Sequence, residues 1–178
     1  MLTQDRSLRY YKIERRSFWY RIHDPLVYLN DLPEGTKLLI TGSREADSTL
    51  LSVAREIVEL AKNRKLSIVV GDDEGVDAEV IRECDRLGVD AEVYGAYKRM
   101  RRMTKYGQNH ALDTMYSGRD REMAKRCGVC IAIWNGSSRG TKITFEVASQ
   151  LGKPVYVAVP LRDGIRHDPI VPVFVGKE

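Results

Sequence analysis

The 178-residue chain is poor in cysteine and contains no long apolar run. Its 3 cysteines are an odd number, which argues against a disulfide framework. No segment approaches the length of a membrane-spanning helix, and the N-terminus lacks a basic-then-apolar leader. An apolar fraction of 43% with 30% charged residues is typical of a globular domain in water. We therefore expect a cytoplasmic protein without a membrane partner.

The sequence also lacks a paired set of metal ligands. Cys127 and Cys130 form a Cys-x-x-Cys motif, but a structural zinc needs four ligands, and the remaining cysteine and histidines are scattered. Cys130 lies inside the apolar run CIAIW, where a small buried thiol packs well. We interpret the motif as part of the core and expect no required cofactor and no metal held by these cysteines.

Basic charge is concentrated in one segment of the chain. The sequence carries 29 lysine and arginine residues against 25 acidic ones, a formal charge of +4. Between residues 95 and 126 the basic residues outnumber the acidic ones three to one, so the rest of the chain is slightly acidic. Charge confined to one segment indicates that an anion binds there.

Short apolar runs alternate with amphipathic stretches from Lys37 onward. The predicted strands are 37–41, 66–70, 90–95, 129–134 and 153–159. The predicted helices are 47–63, 75–88, 119–127 and a last one ended by Gly152, and the basic segment 95–110 is predicted to be a loop. This alternation predicts an α/β fold, a Rossmann-like three-layer sandwich with a mostly parallel sheet.

The chain is predicted to consist of an N-terminal extension and one domain. Residues 1–36 are an N-terminal extension, and residues 37–178 form the Rossmann-like domain. Aromatic residues alternate at Phe18 and Tyr20, which predicts a hairpin or an edge strand. The basic and aromatic side chains of this extension leave two interpretations open: a flap packed on the sheet, or a contact with nucleic acid.

Four loops follow predicted strands, at the edge where open parallel sheets bind ligands. The first and fourth combine small residues with helix N-termini, a set suited to phosphate. The second is acidic, and its carboxylates either cap a helix, accept from ribose hydroxyls or hold a divalent cation. The candidate ligand-binding residues of these loops are Gly42, Ser43, Arg44, Gly71, Gly75, Asp77, Gly136, Ser137, Ser138, Arg139, Gly140 and Thr141.

The motifs TGSRE, GDDEGVD, GRDREMA and SSRGTKITFEVA, in this order, resemble those of the SLOG superfamily, which includes Smf/DprA and Lonely Guy proteins. The likeness is greatest to its YspA and YpsA-like branch and covers residues 37–159. The resemblance implies a nucleotide or nucleotide-derivative ligand, such as an ADP-ribose-like molecule, and a homodimer or higher oligomer. It also implies nucleic acid as an alternative partner, contacted through basic residues 98–105.

The resemblance further implies where a catalytic site would lie. Lonely Guy phosphoribohydrolases release a base from a nucleoside monophosphate with an Arg-x-x-x-Met arginine and a glutamate three residues after Gly-Thr. Arg119, followed by Met123, matches this arginine and is a candidate for ligand binding or catalysis, but Thr144 stands where the glutamate belongs. A hydroxyl cannot replace that carboxylate. An N-glycosidase would therefore need another acid, and the candidates are Asp72, Asp73 and Asp77.

Glu146 is the remaining candidate carboxylate. At about 100° per residue it is turned away from Thr144. It shares a polar stripe with Lys142, opposite Ile143 and Val147. We expect Glu146 to face solvent, paired with Lys142, and to take no part in catalysis.

Overall fold

The computed structural model describes residues 8–13, 20–22, 29 and 31–160. Its strands are β1 (Leu8–Ile13), β2 (Tyr20–Ile22), β3 (Lys37–Gly42), β4 (Ser67–Gly71), β5 (Ala91–Gly95), β6 (Gln108–Ala111), β7 (Val129–Ile133) and β8 (Val155–Pro160). The helices that cover the sheet are α1 (Ser48–Asn63), α2 (Val76–Leu87), α3 (Tyr116–Arg126) and α4 (Arg139–Gln150). Every strand and helix predicted from Lys37 onward is present.

All these strands join one sheet in the order β2-β1-β8-β7-β3-β4-β5-β6. The strands from β8 to β6 are parallel, and the antiparallel pair β1 and β2 extends the sheet beyond β8. The predicted Rossmann-like fold is therefore confirmed, and so is the predicted N-terminal hairpin or edge strand. The residues between β1 and β2 lie outside the described ranges, as do the aromatic side chains predicted to pack or to contact nucleic acid.

Alternate residues of the strands fill an apolar layer on each face of the sheet. Leu38 and Ile40 of β3 pack in the layer under α1 and α2, whereas Leu39 packs in the layer under α3 and α4. Cys127 and Cys130 lie in this second layer, and burial raises the pKa of the Cys127 thiol to about 11. Because both faces are covered, the strands read as continuous apolar runs. None of the helices in residues 31–160 has the length and apolar character needed to cross a membrane.

Strand β6 was not predicted, because its sequence QNHA is polar and mostly exposed. It forms through parallel backbone pairing with β5, from Glu92 opposite Gln108 to Gly95 opposite Ala111. The prediction of a loop over the whole of 95–110 is therefore wrong at its end. An exposed edge strand carries no apolar periodicity that a sequence pattern could reveal.

The strand order reverses between β3 and β7, which are parallel neighbours although the helices that follow them cover opposite faces. The two strands stay paired up to Gly42 and Ile133, and the connections that follow them run to opposite faces, which opens a crevice. Ser43, directly after β3, is fully buried and bonds to both the end of β7 and the residues that follow it. Its N–H donates to the carbonyl of Ile133 at 3.1 Å, and its hydroxyl accepts from the N–H of Asn135 at 3.0 Å.

Gly75 precedes α2 with φ +74° and ψ −124°. A Cβ at this position would lie 2.3 Å from the carbonyl oxygens of Ser43 and Arg44. We expect Gly75→Ala to lower the free energy of unfolding by about 3 kcal/mol, because the backbone must shift and the positive φ is strained. Urea unfolding measures this loss.

Gly88→Ala is the matched control, since Gly88 has φ +70° but a Cβ there meets no atom within 4 Å. This variant should lose only about 1 kcal/mol, the cost of the left-handed conformation. Equal losses in the two variants would contradict the close contact at Gly75.

Candidate functional site

A cleft of about 310 Å³ opens between the carboxyl ends of β3 and β7. Its walls are the turn after β3, the acidic loop before α2, one face of α3 and the first turn of α4. The predicted site residues that line it are Gly42, Arg44, Asp73, Asp77, Arg119, Ser138, Arg139, Gly140 and Thr141. The predicted residues that stand outside this lining are Ser43, Gly71, Asp72, Gly75, Gly136, Ser137 and Glu146.

The N-terminus of α4 opens into the cleft. The hydroxyl of its N-cap residue, Ser138, bonds to the Thr141 hydroxyl at 3.0 Å and accepts no hydrogen bond from a backbone N–H of the first turn. The backbone N–H groups of Arg139, Gly140 and Thr141 therefore have no partner within the helix. Such groups, together with the helix dipole, attract an anion.

The amides just before α4 are already bonded. The side-chain oxygen of Asn135 accepts from the N–H groups of Ser137 at 2.9 Å and Ser138 at 2.8 Å. The indole N–H of Trp134 donates to the carbonyl of Ser138 at 2.8 Å. The turn is thus held by its own side chains, and the N–H groups of Ser137 and Ser138 are not open to an anion, unlike those of the first turn of α4.

Two of the predicted glycines permit close packing. A Cβ at Gly42 would lie 2.4 Å from the Val76 side chain, and one at Gly71 would lie 2.6 Å from the Asp77 carboxylate. Gly140 differs, because a Cβ there meets no atom within 4 Å. A side chain added at Gly140 would therefore occupy open space at the wall of the cleft.

Two arginines stand at the mouth of the cleft. Arg139 is exposed. The side chain of Arg44 is 58% exposed, and its Nε lies 3.2 Å from a carboxylate oxygen of Asp73. Because both guanidinium groups reach solvent, both can turn toward an anion at the start of α4 without losing a buried contact.

Arg119, by contrast, is only 5% exposed. Its guanidinium donates to Asp72 at 3.0 Å and to Asp120 at 3.1 Å, and Asp73 lies 3.9 Å away. Burial lowers the pKa of Arg119, but the surrounding carboxylates outweigh burial and hold the pKa above its ordinary value. The resemblance implies that the positive charge of Arg119 binds a ligand, but carboxylates of the protein already neutralise this charge.

Asp77 is the unusual acid of the cleft. Burial raises the pKa of its carboxyl to about 7, although Arg119 acts in the opposite direction, and the charge of Asp73 adds to the rise. Burial also raises the pKa of Asp120, against the effect of Arg119. Despite these neighbouring carboxylates, no group of three or more ligating side chains within residues 31–158 is arranged to hold a metal ion.

Thr144 occupies the cleft where the resemblance expects a glutamate. It is 2% exposed, and its hydroxyl donates to the carbonyl of Gly140 at 3.0 Å. Glu146 lies outside the cleft, with 42% of its side chain exposed and a carboxylate oxygen 3.9 Å from the Lys142 ammonium. The pairing predicted from the sequence is present, and α4 supplies no carboxylate to the cleft.

The predicted rotation of α4 is partly wrong. Ile143 was placed on the buried face, yet it is 40% exposed. The buried positions are Thr141, Thr144, Phe145 and Ala148. Phe145 packs edge-on against Trp134 with ring centroids 5.4 Å apart, and this aromatic contact sets the rotation of the helix.

Sequence reasoning missed several residues that line the cleft, among them Tyr116 and Asp120. With Arg119 and Met123 they follow the spacing of one helical face, three and four residues apart. Placing the start of the helix at 119 instead of 116 removed Tyr116 from that face. A correct helix start would have added Tyr116 to this face, whereas Asp120 already lay within the predicted helix.

Neither a protein-family model nor a curated protein matches the sequence. Solved structures do match. The molybdenum cofactor carrier protein of Chlamydomonas reinhardtii is 17% identical, with a TM-score of 0.57 over 68% of this chain and 75% of that one. The molybdenum cofactor binding protein of Rippkaea orientalis is 16% identical, with a TM-score of 0.61 over 68% and 75%.

DNA processing protein A of Helicobacter pylori, described for its single-stranded DNA binding, also matches. It is 16% identical, with a TM-score of 0.54 over 82% of this chain and 79% of that one. These proteins belong to the SLOG and DprA-like superfamily, while the narrower YspA branch stays a prediction. At such identities the likeness is one of fold: this chain has a Rossmann-like fold, and its membership of the SLOG superfamily stays a prediction.

Proposed function

We propose that the chain binds a nucleotide or a nucleotide derivative, with a phosphate at the N-terminus of α4. One observation carries the proposal: an uncapped helix start opens into the cleft, with Arg44 and Arg139 beside it. Free backbone N–H groups, a helix dipole and two adjustable guanidinium groups together form an anion site.

The opposite wall of the cleft suits a sugar. Asp73 and Asp77 line that wall, and carboxyl oxygens can accept hydrogen bonds from ribose hydroxyls. Donors on one wall and acceptors on the other match a sugar phosphate, which carries its negative charge at one end only. The buried Arg119 holds the acidic wall in place and does not need to contact the phosphate.

The structural neighbours support a ligand of this type. The names of two of them specify the molybdenum cofactor, and that of a third specifies single-stranded DNA. Nucleic acid is therefore a second candidate ligand. The exposed basic residues near the cleft favour it, since a polynucleotide presents the same phosphate many times over. Assembly into a homodimer or higher oligomer also stays a prediction.

Gly140→Leu tests the phosphate site. The side chain should fill the space beside the free N–H groups and abolish binding of ribose 5-phosphate in calorimetry. The unliganded variant should unfold at the temperature of the wild type or slightly higher, because Gly140 is exposed and leucine favours a helix. Normal binding by this variant would place the phosphate elsewhere.

Arg44→Ala and Arg139→Ala form the second arm of this test. Each should weaken ribose 5-phosphate binding by about five-fold, the loss of one exposed charge-assisted contact. Arg121→Ala is the matched control, because Arg121 is also exposed but does not line the cleft. An equal loss of affinity in Arg121→Ala would show that the effect comes from net charge alone.

Binding should also depend on pH through Asp77. Its carboxyl is neutral below a pH of about 7 and negative above it, so a phosphate meets less repulsion as the pH falls through this value. We expect the affinity for ribose 5-phosphate to rise by about five-fold as the pH falls through this value. This is the effect of removing one unit charge several ångströms away.

Asp77→Asn is the control for this pH dependence, since asparagine keeps an oxygen to accept the N–H of Asp73. The variant should lose the step at pH 7 and keep only the dependence due to the phosphate, which takes up its own proton at about pH 6. The same step in both proteins would exclude Asp77 as its source.

Hydrolysis of an N-glycosidic bond is the alternative activity. The pKa of Asp77 favours it, because a general acid acts best when its pKa lies near the working pH. We nevertheless expect purified protein to release no adenine from AMP above background. Thr144 replaces the carboxylate that such cleavage requires, and the charge of Arg119 is engaged by Asp72 and Asp120. Chromatography of the products measures this.

Adenine release with turnover, lost in Asp77→Asn, would contradict this expectation and show a hydrolase that uses Asp77. Variants of Asp72 are unsuitable for the test, because Asp72 is a buried partner of Arg119 and its removal disturbs the fold. Loss of activity in Glu146→Gln would instead require α4 to be rotated from its present orientation.

A further inference from the structure

A second cavity, of about 280 Å³, adjoins the cleft. It lies under the connection from β5 to β6, and its lining includes Tyr97, Arg99, Arg101 and Tyr116, which we call the aromatic annex. Tyr116 lines both cavities. Tyr116 therefore lies at the border between the cleft and the annex.

The annex presents aromatic surface to solvent. Tyr97 is 54% exposed, and its ring meets that of Tyr116 edge to face with centroids 5.3 Å apart. Of the six large apolar side chains exposed within residues 31–158, five lie between Tyr97 and Tyr116. A cluster of exposed aromatic and apolar side chains marks a binding surface more often than scattered single ones do.

The backbone at Tyr97 is unusual. Tyr97 and Lys98 both have positive φ, at 54° and 56°, although neither is glycine. Their N–H groups donate to the carbonyls of Thr114 and Leu112, each at 2.8 Å, and these bonds fix the turn. Two consecutive left-handed residues with side chains are strained, and such strain persists where the surroundings hold it, often at ligand sites. The turn holds the Tyr97 ring outward.

Positive charge flanks the rings. The Arg101 guanidinium lies 4.7 Å from the centroid of the Tyr116 ring and is held there by Asp73 at 3.0 Å. Arg99 is exposed at the rim. An aromatic face beside guanidinium groups favours a flat, electron-rich ring, because both aromatic rings and guanidinium planes stack on such a ligand.

We propose that the aromatic annex binds the heteroaromatic base of the ligand whose phosphate lies at the start of α4. This inference rests on the proposed function and adds to it the position of the base. The base stacks on Tyr97, and Arg99 and Arg101 flank it. The same ring can belong to a mononucleotide or to one nucleotide of a single strand, and the test separates these sources.

Calorimetry with two probes tests the annex. Ribose 5-phosphate has the phosphate and sugar but no base, whereas AMP adds the base alone. Wild-type protein should bind AMP more tightly than ribose 5-phosphate. Tyr97→Ala should weaken AMP binding by about ten-fold, the loss expected for one stacked base, and leave ribose 5-phosphate binding unchanged.

Two variants accompany this measurement. Tyr97→Phe keeps the ring and should keep the affinity for AMP. Tyr106→Ala is the matched control, because Tyr106 is 56% exposed in the same connection but lines neither cavity. It should bind both probes as the wild type does. Thermal unfolding without ligand checks that each variant is folded.

The outcomes separate the two proposals. If ribose 5-phosphate binds but AMP binds no more tightly, or if Tyr97→Ala weakens both probes equally, the annex is excluded and the phosphate site stands. If wild-type protein binds neither probe, both proposals fail. If single-stranded oligodeoxyadenylate binds more tightly than AMP, and if this binding is weakened in Tyr97→Ala, the annex is supported and the base belongs to a strand. Oligodeoxyadenylate that binds no more tightly than AMP supports a mononucleotide-like ligand.

Discussion

The site depends on the buried ion pair between Arg119 and Asp72. Asp72 follows β4 and Arg119 lies on α3, so the pair joins the sheet to a helix on one face. Asp72 also accepts from the backbone N–H of Arg101 at 2.7 Å, which anchors the connection from β5 to β6. Removing Arg119 would take the shared cation from Asp72 and Asp120, and breaking a buried ion pair typically costs about 3 to 5 kcal/mol. The cleft and the aromatic annex share this support.

This ion pair also explains why an arginine found in a hydrolase pattern does not by itself indicate hydrolysis. Arg119 keeps its position beside the cleft, but its hydrogen-bonding groups are directed to Asp72 and Asp120. The solvent-exposed guanidinium groups that can turn toward a ligand are those of Arg44 and Arg139, which the pattern does not mark. A motif specifies which residue is present, and the neighbours of that residue decide what it can do.

Much of the fold could be predicted because the buried strands are apolar and the helices amphipathic, and both periods are visible in the sequence. Strand β6 could not be predicted, because its residues are exposed and polar and it forms only through backbone pairing with β5. The same limit applies to the site. The loops could be located from their composition. The hydrogen bonds of Asn135 to two backbone N–H groups and the contact of Phe145 that orients α4 leave no periodic signal in the sequence.

The hydrogen bond from Trp134 to the carbonyl of Ser138 links an indole directly to the N-cap residue of α4. The ring is 1% exposed and packs on Phe145, so its surroundings are apolar and fixed. Trp134 is one of 2 tryptophans in the chain. Any movement of the first turn of α4 alters the electrostatic environment of this indole, which makes its fluorescence an intrinsic optical reporter of events at the helix start.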